Sequence, residues 1–249
     1  MDLLAVEGVY KSFQGFMALS GVSLRVEAGS FHALVGPNGA GKTTLFNVIT
    51  GRLAPDRGRV RFRGQEITGW PTHRVARLGV AISFQRAQPF ASMEVLEAVV
   101  LARLGYGGAT WNLVRPLWAY GGARAKAEAV LAKVGLEGYA RRRVSELPLG
   151  DLKRLDVAMA LVAEPRLLLL DEPLAGLSRA ERRRMVEFMG ELLRREGVTL
   201  LFTEHDTDAV LTLADRITVL HQGRVLAEGT PEEIRASKEV RAAFLGGER

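Results

Sequence analysis

The stretch GPNGAGKTT, residues 36–44, constrains this chain more than any other. It fits the pattern G-x-x-x-x-G-K-[ST], it follows the short apolar run FHALV, and it precedes a helical pattern. Glycines at these positions let the backbone curl so that successive N–H groups point into one concavity, and the helix behind it adds the positive end of its dipole. A lysine and a hydroxyl at the end of such a loop suit the β- and γ-phosphates of a nucleotide and a hydrated Mg²⁺ ion, respectively. The loop therefore predicts that Gly36, Pro37, Asn38, Gly39, Ala40, Gly41, Lys42, Thr43 and Thr44 form a phosphate cradle, with Lys42 also acting on the transferred group. A dinucleotide loop would need G-x-G-x-x-G, and GAGKTT lacks the third glycine. The Asn-Lys pair of a guanine reader is absent from the chain.

Around this loop the hydrophobic periodicity alternates in kind. Residues 3–9, 22–26, 31–35, 60–63 and 80–84 read as strands, and 41–53 as a helix ended by the APDRG turn. From residue 92 to 163 the pattern is helical, clearest over 93–104 and 123–134, with a glycine- and tryptophan-containing connector between them. Strands at 166–170 and 198–203 follow, with helices opened by Ser178 and Asp206. A hairpin over 217–220 and 225–227 precedes a last helix capped at Thr230. Ser178 with Glu181, and Thr230 with Glu233, have the spacing of capping boxes. Strands alternating with helices predict a mostly parallel α/β sheet, and the helical middle predicts an insertion into it.

Two further groups bear chemistry. RLLLLDEP puts Asp171 and Glu172 at the end of a four-leucine strand, where a parallel sheet meets its ligands. Asp171 is suited to hold Mg²⁺ through water, and Glu172 to polarise a water for attack on a γ-phosphate. His205, in TEHD, ends the next strand, from where a ring nitrogen can reach the γ-phosphate and steady Glu172. Gln85, in ISFQ, ends the strand before the helical region and is a candidate ligand to Mg²⁺ or to the attacking water.

Composition excludes several other classes. The 249 residues are 47% hydrophobic and 25% charged, an ordinary globular balance. No apolar run approaches the roughly 20 residues of a membrane span. The start MDLLAVEG has no basic region or apolar signal core, and there is no cysteine, so a cytoplasmic location is expected. The net charge of +6 is dispersed and points weakly to an anionic partner.

Taken together and in this order, these motifs resemble the nucleotide-binding subunits of ATP-binding-cassette transporters over nearly the whole chain. The resemblance implies a RecA-like P-loop ATPase core with an N-terminal antiparallel β-subdomain and an inserted α-helical subdomain. Within a single domain of 1–249, the first two would occupy 1–86 and 164–230, the helical part 87–163, and a tail 231–249. It implies ATP and Mg²⁺ as cofactors, with Thr43, Gln85 and Asp171 around the metal and Glu172, His205 and Lys42 as catalytic residues. It also implies that Phe13, 23 positions before Gly36, stacks on adenine. In this family two subunits sandwich ATP, so Leu147, Leu149, Gly150 and Asp151 are expected to meet the nucleotide held by a second copy, in a homodimer or heterodimer. The family segment Leu-Ser-Gly-Gly-Gln here has Pro148 in place of serine, which removes a hydroxyl and leaves backbone donors at the start of a helix expected from about 151 to 163.

Finer stretches, among them PFASMEVLEAV, LLLLDEPLAGLS and ADRITVLHQGRVLAEGTPEEI, resemble the ATPases of branched-chain amino-acid importers, although the LDEPLAGL and AEGTP pieces also resemble relatives that serve urea or amide import or lipopolysaccharide export. The expected partners are integral-membrane permease subunits and, indirectly, a substrate-binding protein. Phe84, residues 87–90 and Met93 are candidates for the permease contact. The expected place is the inner face of the cell membrane, reached through the permease. A nucleic-acid partner is not expected, because the second cassette, zinc modules and long coiled coils of cassette proteins that act on nucleic acids are missing.

Overall fold

A long antiparallel ribbon opens the chain. β1 (Asp2–Phe13) and β2 (Phe16–Glu27) are joined by Gln14 and Gly15, whose φ values of 47° and 88° match the turn to the right-handed twist of its strands. The strands thus run well past the 3–9 and 22–26 read from the sequence, because their outer halves carry exposed side chains that break the apolar alternation. The computed structural model describes residues 2–83, 90–107, 120–237 and 240.

β3 (Phe31–Val35) is buried throughout and leads through the glycine loop into α1 (Lys42–Ile49). That helix stops four residues before the expected end at Leu53. Gly51 has φ 73°, and a Cβ there would lie 2.1 Å from the Trp70 carbonyl oxygen, so the chain turns left-handed against a neighbouring segment. β4 (Arg57–Phe62) and β5 (Gln65–Glu66) complete a four-stranded antiparallel sheet in the order β2-β1-β4-β5.

After α2 (Thr72–Arg77) comes β6 (Val80–Ile82), shorter than the expected 80–84; Ser83 lies outside the strand and Phe84 outside the described residues. Three helices follow: α3 (Val95–Gly107), α4 (Gly121–Lys133) and α5 (Leu149–Leu161). α5 begins two residues earlier than expected, directly after Pro148, whose extended backbone makes it the cap position. The chain then alternates through β7 (Leu167–Asp171), α6 (Arg179–Arg195), β8 (Thr199–Thr203), α7 (Thr207–Leu213), β9 (Arg216–His221), β10 (Arg224–Gly229) and α8 (Pro231–Ala236). Both expected capping boxes form, at Ser178–Glu181 and Thr230–Glu233.

The second sheet has the order β10-β9-β3-β8-β7-β6, parallel except for β10. Side chains of a strand alternate between faces, and here both faces are covered. Leu168 and Leu170 of β7 pack with Phe31, Ala33, Leu200 and Phe202 against the helices α3 to α6. Leu167 and Leu169 pack with Leu34, Leu201 and Leu220 against α1 and the four-stranded sheet. This two-sided burial is why RLLLLD carries no polar alternation; each fully buried leucine contributes about 1.5–3 kcal/mol.

Candidate active site

β3, β8 and β7 are neighbours in the sheet, so the loops after their C-terminal ends open on one edge. The loop after β3 is built on two close approaches. A Cβ at Gly36 would lie 2.3 Å from the Leu220 carbonyl oxygen, and one at Gly41 would lie 2.6 Å from the Ala18 carbonyl oxygen. Gly41, with φ 106°, is also the N-cap of α1 and supplies no side-chain cap. The first-turn N–H groups of Lys42, Thr43 and Thr44 have no helical carbonyl to meet, as at the start of any helix, which leaves them as donors for an anion.

Lys42 is buried, and its ammonium donates to the carbonyl oxygens of Gly36 at 2.6 Å and Pro37 at 3.1 Å. Burial lowers its pKa, while the carboxylates of Glu172 and Asp171 push the other way.

Asp171 and Glu172 sit where β7 leaves the sheet. Asp171 accepts a hydrogen bond from the hydroxyl of buried Thr203, across the last pair of the β7–β8 ladder. Glu172 has φ 49°, a left-handed conformation uncommon for a side-chain-bearing residue. Its N–H is held by both the carbonyl and the hydroxyl oxygen of Thr203, each at 3.1 Å. The bend turns its carboxylate toward the loop after β8, where Oε1 lies 3.0 Å from His205 Nε2. Both side chains remain partly exposed, so the pair can be approached from solvent. Hard oxygen donors for a hydrated divalent cation are present in the Thr43 hydroxyl and the Asp171 carboxylate. Among the described residues no group of three or more His, Cys, Asp or Glu is placed to hold a metal ion.

Lys42, Asp171, Glu172 and His205 therefore meet at one sheet edge. Phe13 is half exposed at the tip of the β1–β2 hairpin, whose Ala18 touches Gly41, and Lys11 Nζ stands 5.7 Å from its ring centroid. Leu147 is buried before α5, whereas Leu149 is 44% exposed. Asp151 pairs loosely with Arg154 at 3.9 Å, one turn along the helix. This segment lies beside the loop after β7: a Cβ at Gly176 would be 3.1 Å from Leu149 Cδ2. Gln85, Phe84 and residues 87–89 fall outside the described residues. Phe90 lines a groove of about 510 Å³ with Val75, Ile82, Leu101 and Tyr106.

Three residues of the site escaped the sequence reading: Thr203, Glu204 and Arg182. Glu204 is buried, with its carboxylate on the N–H groups of Leu174 and His205. Arg182 donates to the Leu177 carbonyl oxygen and to Asp206. The available signal was the polar pair Thr203-Glu204 closing an apolar strand at the edge that also bears Asp171.

The sequence matches the family described as ABC transporter over residues 19–175, and over 224–249 that described as branched-chain amino acid ATP-binding cassette transporter. It is 40% identical to the high-affinity branched-chain amino acid transport ATP-binding protein LivG of Salmonella typhimurium, over 98% of each chain. With the corresponding protein BraF of Pseudomonas aeruginosa it shares 38%, again over 98% of each. The fold superposes on the crystal structure of the ADP conformation of an ATP-binding cassette of an ABC transporter with TM-score 0.87 and 32% identity, over 99% of each chain. With its glycine loop, acidic strand end and full-length likeness to these cassettes, the chain belongs to the ABC transporter family, as an ATP-binding and ATP-hydrolysing cassette.

Proposed function

We propose that this cassette energises the import of branched-chain amino acids through separate membrane subunits. The 40% identity to LivG over 98% of each chain supports the substrate class. Among the described residues no helix is long and apolar enough to cross a membrane, so translocation falls to permease subunits. The groove around Phe90, Val75 and Tyr106 is the proposed seat for a permease element, and a substrate-binding protein would select the cargo.

The hydrolytic reading rests on one observation, the 3.0 Å contact of Glu172 Oε1 with His205 Nε2 at the sheet edge that also carries Lys42. The loop amides and Lys42 hold the β- and γ-phosphates. Thr43 and Asp171, with Gln85 as a further candidate ligand, would hold Mg²⁺, which would supply charge neutralisation on the phosphate oxygens. Glu172 orients a water for attack and takes its proton as the bond to phosphorus forms; the β–γ bridging bond breaks and the electrons leave with ADP. His205 steadies Glu172 and donates to the γ-phosphate oxygens. Phe13 stacks on adenine. Leu149, Gly150 and the backbone at the start of α5 meet the nucleotide of a second subunit, so closure of the pair is coupled to ATP binding.

The test is reconstitution with the permease subunits in vesicles. Addition of leucine, isoleucine or valine with binding protein is expected to stimulate ATP hydrolysis and accumulate the amino acid. Intact ATPase activity that no branched-chain amino acid stimulates would remove the substrate assignment and leave the enzymatic one.

A further inference from the structure

The β7–β8 ladder ends at the pair Asp171 and Thr203. Beyond that rung the sheet no longer holds the two loops, yet Glu172 and His205 meet beyond it at 3.0 Å. We propose that Glu204 is a positioning residue that keeps this pair in register, with Arg182 as a second tie between the same loops. Glu204 is 6% exposed, and a carboxylate in such a place is costly unless its oxygens are used. Both are. Oε1 accepts the N–H of Leu174 at 2.7 Å, two residues after Glu172, and Oε2 accepts the N–H of His205 at 3.0 Å. These are charge-assisted hydrogen bonds to main chain, so they set where each loop runs. At the far end of the same loops Arg182 Nε donates to the Leu177 carbonyl oxygen at 2.9 Å, and its guanidinium donates to Asp206 at 3.0 Å. Two clamps on both loops make residues 174–177 and 204–206 one unit. The segment that carries Gly176 beside Leu149 is thereby tied to the loop that aims the His205 ring.

The proposal rests on the reading of Glu172 and His205 as the hydrolytic pair. Glu204→Gln keeps the shape but offers one acceptor oxygen; its amide nitrogen faces the second N–H as a donor. We expect kcat for ATP to fall at least about tenfold, with KM and the Kd of a fluorescent ATP analogue within about twofold of wild type, since a misplaced group costs rate and the phosphate loop is untouched. The chain has four histidines, so imidazole NMR signals can be assigned. The His205 ring signal is expected to move in Glu204→Gln, while those of His32 and His221 stay. A kcat within about twofold of wild type, or an unmoved His205 ring, overturns the proposal. Arg182 is partly exposed, so Arg182→Ala tests the second tie without burying a defect. It is expected to shift the same ring signal and lower kcat about threefold, and no change in either overturns the coupling. Glu172→Gln serves as the control: retained turnover there sinks the hydrolytic reading itself, whereas a dead Glu172→Gln beside an unaffected Glu204→Gln sinks only the role of Glu204.

Discussion

Thr203 donates its hydroxyl proton to the carboxylate of Asp171 across the final rung of the β7–β8 ladder. The same oxygen accepts the N–H of Glu172, so one buried hydroxyl orients the acidic pair. Thr203→Val keeps the shape and removes both bonds. A hydrogen bond to a charged group contributes about 1.5–3 kcal/mol, so the denaturant midpoint is expected to drop accordingly. Turnover is expected to fall at least about tenfold through misplacement of Glu172. Wild-type turnover in this variant would show that the hydroxyl has no part in orienting the pair.

Glu172→Gln should block hydrolysis while leaving ATP binding intact. Gel filtration with ATP is expected to convert the variant from monomer to a stable dimer. A variant that stays monomeric and hydrolyses ATP at the wild-type rate would refute the assignment of Glu172. His205→Ala is expected to lower kcat by about 10²-fold, the usual cost of losing one donor to the charge that develops in the transition state.

Gly41→Ala combines two costs. The residue sits at φ 106°, and the added Cβ would lie 2.6 Å from the Ala18 carbonyl oxygen. Backbone strain of this kind costs about 1–3 kcal/mol before the clash is counted. Relief requires the phosphate loop to move, so ATP affinity and thermal stability are expected to fall together. Gly138→Ala is the matched control, since nothing lies within 4 Å of a Cβ there. Equal behaviour of the two variants in a nucleotide-binding titration would contradict this account.

Pro148 caps α5 without a side-chain hydrogen bond. Pro148→Ser can add one, worth about 1 kcal/mol, but loses about 0.4–1 kcal/mol of proline's restraint on the unfolded chain. The melting temperature should therefore change little. The new hydroxyl is instead expected to tighten the ATP-driven dimer in the Glu172→Gln background. A dimer no tighter than with proline would count against phosphate recognition by this segment.

Buried His32 and half-buried Asp156 set opposing pH dependences. His32, bonded through Nε2 to Thr218 at 2.8 Å, is held down to about 4, first by burial and then by Arg216. Below its ordinary value of 6.5 the unfolded chain gains a proton that the fold refuses, so stability falls by about 1.4 kcal/mol per pH unit down to pH 4. Burial pushes Asp156 up to about 7 from 3.8, against the opposing effect of Lys153. Between those values the fold keeps a proton the unfolded chain has lost, so acidification from 7 stabilises with a similar slope. The two terms oppose each other between pH 4 and 6.5. Asp156→Asn is expected to be more stable than wild type at pH 8 and to lose that advantage toward pH 4, which exposes the His32 slope. Parallel stability profiles for variant and wild type, measured by denaturant titration, would exclude Asp156 as their source.

The phosphate loop was legible because its function depends on neighbours in the chain: glycine conformations, a preceding strand and the first turn of a helix. The capping boxes at Ser178 and Thr230 were legible for the same reason, since each closes over three residues. The end of α1 was not, because Trp70, not the local pattern, crowds Gly51. The full length of the β1–β2 hairpin was not, because cross-strand pairing extends it through residues without apolar alternation.

What the chain's order of residues determined was the inventory: a phosphate loop, a carboxylate pair after an apolar strand, and a histidine after the next. What only the tertiary structure decided was their meeting. β3, β8 and β7 are adjacent although β4 to β6 intervene in the chain, and that adjacency carries Lys42, Asp171, Glu172 and His205 to one edge. The roles of Thr203 and Glu204 depend wholly on it, since their partners lie 30 or more residues away for Asp171, Glu172 and Leu174. Hydrogen bonds of that reach follow from sheet order and burial, and no local pattern in the chain encodes them.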